Sequence, residues 1–386
     1  MKLFDDKKRT DSKYANHLDN IYDFYDRSCL NQSEQIRDLL NNWFCNYPDS
    51  EKYELKARFK KTFSHAFFEL FLYELFTKQG FTLKPHPKII GTSNQPDFLV
   101  KGNGLEFYLE AKESTDKSKA DTSFENKIGQ FYDILNKTNS PNFFFDVNEL
   151  SLKSNKQPSG KDVVKFLEKE LTKYDPDELN DELKENKFDN LHRIEYEDDD
   201  LKLIITLIPK SIEARGKKEL RPIGIYPIST YWGGSTSSIK SSIKKKATRY
   251  GEIDKPFLIC INSTSEKGTD EDDIMNVLFG SLQVTFSTNP NNRNKRSTRA
   301  LDGVFLDSNG PKNTRVSGIF ITHVNPANLD IAKHWLVKHP YASKELNFSA
   351  LKLSTIVVED GKIKKIDGST IKEIIGLPDD WLNLKL

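Results

Sequence analysis

The stretch 95–113, QPDFLVKGNGLEFYLEAKE, admits little other than a β-hairpin. Apolar Phe98 to Val100 lead into Gly102-Asn103-Gly104, a tight turn, and a second strand runs from Leu105 to Lys112. Side chains alternate along a strand. Leu105, Phe107, Leu109 and Ala111 therefore take the core side, and Glu106, Tyr108, Glu110 and Lys112 the other, which reads as the open face. Asp97 opens the partner strand, so an Asp, a Glu and a Lys converge at one end of the ribbon. Two hard carboxylates can hold Mg²⁺ or Mn²⁺ with positions left for water and a phosphate oxygen. A lysine beside them can orient the attacking water or stabilise charge on the phosphate. That chemistry is phosphodiester hydrolysis; a charged, solvated surface hairpin is the plainer reading of the same residues.

Upstream, residues 59–79 (FKKTFSHAFFELFLYELFTKQ) read as one helix stopped by Gly80. It is apolar almost all round, through Phe63, Phe67, Phe68, Leu70, Phe71, Leu72, Leu75 and Phe76, and must be buried on most of its surface. A carboxylate there costs several kcal/mol, roughly, unless it is paired. Glu69 is the preferred candidate over Glu74, which can pair with Lys78 at the i,i+4 spacing. His65 lies one turn before Glu69, as a packed core histidine or as a contact to Glu69 or to phosphate. Residues 81–87 follow as an edge strand with a proline stop.

Pro96-Asp97 followed by Glu110-Ala111-Lys112 resembles the PD-(D/E)XK signature of the restriction-endonuclease-like nuclease superfamily, and the order helix, strand, PD strand, turn, ExK strand matches it. The chain resembles an uncharacterised bacterial branch of that superfamily, from the Trp43 region through RFKKTFSHAFFELFLYELFTKQGF, His86-Pro87, PDFLV and YLEAK to PFLICIN and His339-Pro340-Tyr341-Ala342. The resemblance implies a metal-dependent endonuclease with Asp97, Glu110 and Lys112 catalytic. Its cation, Mg²⁺ or Mn²⁺, is held by Asp97, Glu110, the Ala111 carbonyl and, from the preceding helix, Glu69. It also implies nucleic acid as substrate, DNA ahead of RNA, and a setting in bacterial defence, as a homodimer or with a partner protein. A nuclease-like fold that binds nucleic acid or a partner without cutting, and a structural protein with incidental charges, are the alternatives.

The implied fold is α/β, a mixed central β-sheet flanked by helices. Its expected parts are an N-terminal helical piece over 1–57, a nuclease core over 58–150, a charged insertion over 151–200 and a C-terminal extension of the sheet over 201–386. Residues 1–20 are polar and read as loose; Ser33 reads as the cap of a helix closed by Pro48. A helix over 123–135 carries Lys127 and Gln130 on a polar side, which faces either solvent or the site. Residues 142–147 read as the next strand of the sheet, and 203–208, 223–228 and 256–262 as further strands.

With a net charge of +1 no global field draws the chain to nucleic acid, so binding requires local patches. One is the helix carrying Lys244, Lys245 and Arg249 after the Trp232-Gly233-Gly234 loop; the other is the loop 289–299 with Arg293, Lys295 and Arg296. A solvated face is the alternative for both. Three cysteines without ligand spacing and no long apolar run point to a cytoplasmic protein with no membrane segment. His323, His334 and His339 lack paired spacing and read as structural.

Overall fold

A computed structural model of the chain describes residues 1–89, 91–116, 119–154, 156–186, 192–217, 219–226, 235–265, 269–286 and 295–382. The chain forms two units: one of Met1–Asp11, Ile21–Asp116 and Gly233–Leu386, the other of Ser12–Asn20 and Lys117–Trp232.

The first unit begins with α1 (Ile21–Arg27), α2 (Asn31–Asn46), α3 (Lys52–Lys61), α4 (Phe63–Lys78), β1 (Thr82–Pro85), β2 (Phe98–Gly102) and β3 (Leu105–Ser114). As its all-round apolar pattern demands, α4 is buried from Phe67 through Phe76 except at Tyr73. The single helix expected over 59–79 is broken at Thr62 (φ −138°, ψ 64°), which separates α3 from α4. In one continuous helix Arg58 and Glu69 would stand about 16 Å apart along the axis. The break folds α3 back on α4 and lets these two side chains meet. Ser33 lies buried inside α2, which starts at Asn31 from an extended Leu30 and has no side-chain cap. Nor is the start of the chain loose: Leu3 and Phe4 are buried, Phe4 exchanges two hydrogen bonds with the Asn41 side chain (2.9 and 3.1 Å), and its ring stacks on Tyr22.

The second unit holds α5 (Lys119–Leu135), β4 (Phe143–Leu152), α6 (Gly160–Leu171), α7 (Pro176–Asn186), β5 (Arg193–Glu197), β6 (Leu201–Pro209) and β7 (Ile223–Ile225). Its four strands form a sheet of their own, in the order β5-β6-β4-β7, over a core that includes Phe131, Phe145, Val163, Leu167 and Ile205. The strand at 142–147 is therefore not the next one of the central sheet. It pairs along its whole length with β6, so a boundary at residue 150 would cut a strand, and 201–225 belong with this unit rather than with the C-terminal part.

The first unit resumes with α8 (Thr236–Ala247), β8 (Phe257–Ser263), α9 (Glu271–Phe279), β9 (Leu282–Phe286), β10 (Lys295–Arg299), β11 (Leu306–Asp307), β12 (Gly310–Pro311), β13 (Gly318–Thr322), β14 (His334–Lys338), β15 (Thr355–Glu359), β16 (Lys362–Ile366) and α10 (Ile371–Ile375). Eight strands form one mixed sheet in the order β1-β2-β3-β8-β13-β14-β15-β16, with β3, β8 and β13 parallel. The continuous apolar run PFLICIN suits its place: β8 lies in mid-sheet and is buried at all seven positions.

One face, with Phe107, Leu109, Cys260, Phe320 and Leu336, packs with α2, α4 and α10. The opposite face, with Tyr108, Ile259, Ile261, Ile319 and Val337, packs with α8 and α9. The fold is thus α/β, a mixed central sheet flanked by helices. No described helix is long and apolar enough to cross a membrane.

Because α4 is enclosed between the sheet and the other helices of its layer, its aromatic side chains have little room to relax. Phe71→Ala should cost about 3–5 kcal/mol of unfolding free energy, measured as a shift of the urea midpoint at unchanged m-value.

Candidate active site

The β2–β3 hairpin turns through Asn103 and Gly104, both with positive φ (50° and 76°), the I′ geometry that matches strand twist. The Asn103 side chain donates to the Gln79 carbonyl at 3.0 Å and ties the turn to the end of α4. Phe98 pairs with Leu109, and continuing that register by one residue sets Asp97 against Glu110. The Ala111 N–H donates to Asp97 Oδ2 at 2.6 Å, and the His86 N–H donates to the Asp97 carbonyl at 3.0 Å. Asp97 is fixed at both ends.

Glu110 does not lie on an open face. It is 1 % exposed, because α8 packs over that side of β3. Its carboxylate accepts hydrogen bonds from Lys246 Nζ and the Tyr250 hydroxyl, and from Arg249 Nη1 at 3.3 Å. Burial, then the charge and hydrogen bond of Glu110, push the Tyr250 phenol well above its ordinary range.

Glu69 is fully buried. It accepts from the Tyr47 hydroxyl (2.7 Å) and from Arg58 Nη2 (2.8 Å) on Oε1, while Arg58 Nη1 donates to Oε2. Burial raises this carboxyl, but the hydrogen bonds and charge of Arg58, with Tyr47, outweigh it and hold Glu69 below its ordinary value. Glu74 is also buried, 3.6 Å from Lys78, and burial raises its carboxyl.

Of these carboxyls, Asp97 has no ion pair among the described residues. Burial first, then the negative charges of Glu110 and Glu69, raise it to about 8. Burial and the nearby cations Arg58, Lys112 and Lys246 lower His65, against the pull of Glu69. Lys112 is half-buried on β3, two residues from Glu110 and by alternation on its side of the strand.

Two carboxylates from paired strands, one of them carrying an uncompensated demand for positive charge, form a donor set of the kind that suits Mg²⁺, which takes one or two protein carboxylates and keeps several waters. Asp97, Glu110 and the Ala111 carbonyl are the groups that would hold it. Glu69, expected as a further ligand, has both oxygens engaged by Arg58 and Tyr47; Glu110 likewise has both engaged by Lys246, Arg249 and Tyr250, so a cation at Glu110 would have to displace one of these donors. Among the described residues, no group of three or more His, Cys, Asp or Glu side chains is placed to hold a metal ion.

The other expected site residues are scattered. Lys244 and Lys245 are exposed on α8, and Arg249, also exposed, reaches Glu110. Arg296 is exposed on β10 and Lys295 opens that strand; Arg293 and the Trp232-Gly233-Gly234 loop lie outside the described residues. Lys127 and Gln130 sit on α5, in the second unit; the helix that packs on β3 is α8. His339 is buried and His334 half-buried; both are lowered to about 4, chiefly by loss of solvent, and His339 accepts the Tyr341 N–H at 3.0 Å.

Four contributors escaped the sequence reading: Tyr47, Arg58, Lys246 and Tyr250. For Lys246 a signal existed, since it follows Ile243 by three residues and so borders the inward face of α8. Comparison with family models, with curated proteins and with solved structures finds no match to this chain.

The Asp97 shift fixes a pH dependence. The folded chain keeps this proton up to about pH 8, while an unfolded carboxyl releases it near 3.8. Between these values unfolding releases a proton, so stability falls as pH rises. Asp97→Asn removes that contribution, and its urea-unfolding free energy in chelator should fall less steeply from about pH 4 to pH 8 than that of the wild type. Identical slopes would place the Asp97 proton elsewhere.

Proposed function

We propose that this chain is a metal-dependent endonuclease of the PD-(D/E)XK kind that hydrolyses phosphodiester bonds, DNA ahead of RNA. The observation that carries the reading is the placing of Asp97 opposite Glu110 by continuation of the β2–β3 register, Asp97 having no ion pair among the described residues, with Lys112 two residues further along β3. A bound Mg²⁺ or Mn²⁺ would polarise the phosphate and lower the pKa of a bound water. Asp97 and Glu110, with the Ala111 carbonyl, hold the cation. Lys112 orients the attacking water or steadies charge gathering on the phosphate. Arg58 and Tyr47 act on Glu69, fixing α3 against α4 beside the hairpin. The setting this implies is defence against foreign nucleic acid in the cytoplasm, as a homodimer or with a partner protein.

A second reading has one observation in its favour. Lys246, Arg249 and Tyr250 already satisfy Glu110, so the hairpin can stay folded with no metal, as a non-cleaving binding module would.

Calorimetry with Mn²⁺ beside a cleavage assay on plasmid, linear DNA, single strands and RNA separates the two. Asp97→Ala should lose both metal binding and cleavage. Lys112→Ala should keep Mn²⁺ binding and lose cleavage by about 10²–10⁴-fold. Lys246→Ala should tighten Mn²⁺ binding, since it removes a cation that competes for Glu110. Cleavage that survives in both the Asp97 and Lys112 variants rules out this hairpin as the active site. Nucleic-acid binding by the wild type without Mn²⁺ binding would favour the module.

A further inference from the structure

The β9–β10 ribbon is a two-stranded sheet of its own, outside the eight-stranded one. A lone ribbon of this kind is marginal in water. Here its foot is held unusually firmly. The Ser281 N–H and hydroxyl both donate to the Asp302 carboxylate at 2.8 Å. Arg299 donates to the Gly280 carbonyl at 2.8 Å and to Asn276 Oδ1 at 3.2 Å, and the Leu282 N–H donates to that same oxygen at 3.1 Å. Gly280 has φ +101°, and a Cβ there would come within 1.9 Å of the Ala300 carbonyl oxygen.

Above this foot both faces are exposed. Directly opposed residues share a face, so Gln283, Thr298, Thr285 and Arg296 lie together on one side. Leu282 and Val284, 54 % and 38 % exposed, lie on the other. From Ser281 to Arg299 the sequence has four cations, Arg293, Lys295, Arg296 and Arg299, and no carboxylate.

We propose that this ribbon is a groove-reading arm that places the Gln283, Thr285, Arg296 and Thr298 face in the major groove of B-form duplex DNA. The proposal rests on the nucleic-acid reading above and fixes its substrate class. Strands about 4.8 Å apart, with their side chains, fit a groove about 12 Å wide that admits a two-stranded ribbon. The deep, narrow major groove of duplex RNA does not. The chemistry of the face suits base edges: an arginine for guanine, a glutamine for adenine, and threonines for polar edges or the thymine methyl. The segment's composition, cations without a carboxylate, suits a polyanionic partner.

The test uses the full chain in chelator, so that binding is read without cleavage. Probes are short randomised DNA duplexes, the same DNA as single strands, and duplex RNA, followed by anisotropy and by selection and sequencing of bound duplexes. Duplex DNA should bind tightest, with a preferred base at some positions. Arg296→Ala and Gln283→Ala should each weaken the preferred duplex by about ten-fold and erase the preference at one position, with melting temperature unchanged. Equal affinity for RNA or single strands would overturn the proposal. So would a loss that is uniform across sequences and only flattens the salt slope, which marks phosphate contact alone. A change in sedimentation coefficient on Arg296→Ala, with DNA affinity unaltered, would instead make the ribbon a contact between copies. Mn²⁺ calorimetry on the same wild-type preparation reads the catalytic site separately, so a failure of the catalytic reading is distinguished from a failure of the arm.

Discussion

Buried carboxylates have to be neutralised, and that constraint shapes the first unit. Glu69 and Glu110 are almost wholly removed from water, and Asp97, half-buried, feels the negative charge of both. An uncompensated ion in such surroundings costs several kcal/mol, roughly. Each carboxylate meets this differently: Glu69 through Arg58 and Tyr47, Glu110 through Lys246, Arg249 and Tyr250, and Asp97 by keeping its proton. The break at Thr62 and the packing of α8 on β3 follow from these needs as much as from apolar burial, since each delivers a cation to an acid.

The same arrangement explains why one hairpin supports two functional readings. Neutralisation by side chains keeps the fold independent of any ion, yet Asp97 retains an unmet demand for positive charge. A divalent cation entering there would exchange a proton on Asp97 for itself and compete with Lys246 for Glu110. Such an ion would couple the acidity of Asp97 to the position of α8 by way of Glu110.

What was legible in the sequence was what is local. The β2–β3 hairpin follows from period-two alternation and a turn that accepts positive φ, the burial of α4 from its all-round aromatic surface, and the depth of β8 from an unbroken apolar run. Asp97, Glu110 and Lys112 stand out because they share one hairpin. The residues that neutralise them were hidden by distance along the chain: Lys246 and Tyr250 lie 136 and 140 residues from Glu110. Arg58 was hidden by a helix break that no glycine or proline marks, at Lys61-Thr62. Strand type was readable at β4 and β6, but which sheet they join was not, because periodicity reports a buried face and not the partner that covers it.

Glu110 and the side chains that cover it lie in the first unit, on either side of the inserted one in sequence, and this orders events during synthesis. A ribosome adding about 5–20 residues per second takes roughly 7–28 s to travel the 140 residues from Glu110 to Tyr250. Until residue 236 is made β3 lacks both α8 and the parallel neighbour β8, whereas the second unit has every strand and helix of its own core once residue 225 has been made. The insertion can therefore fold first, and the carboxylate cluster closes only after it. In a nascent chain, the machinery proposed to cut nucleic acid stays incomplete until nearly two-thirds of the protein has been made.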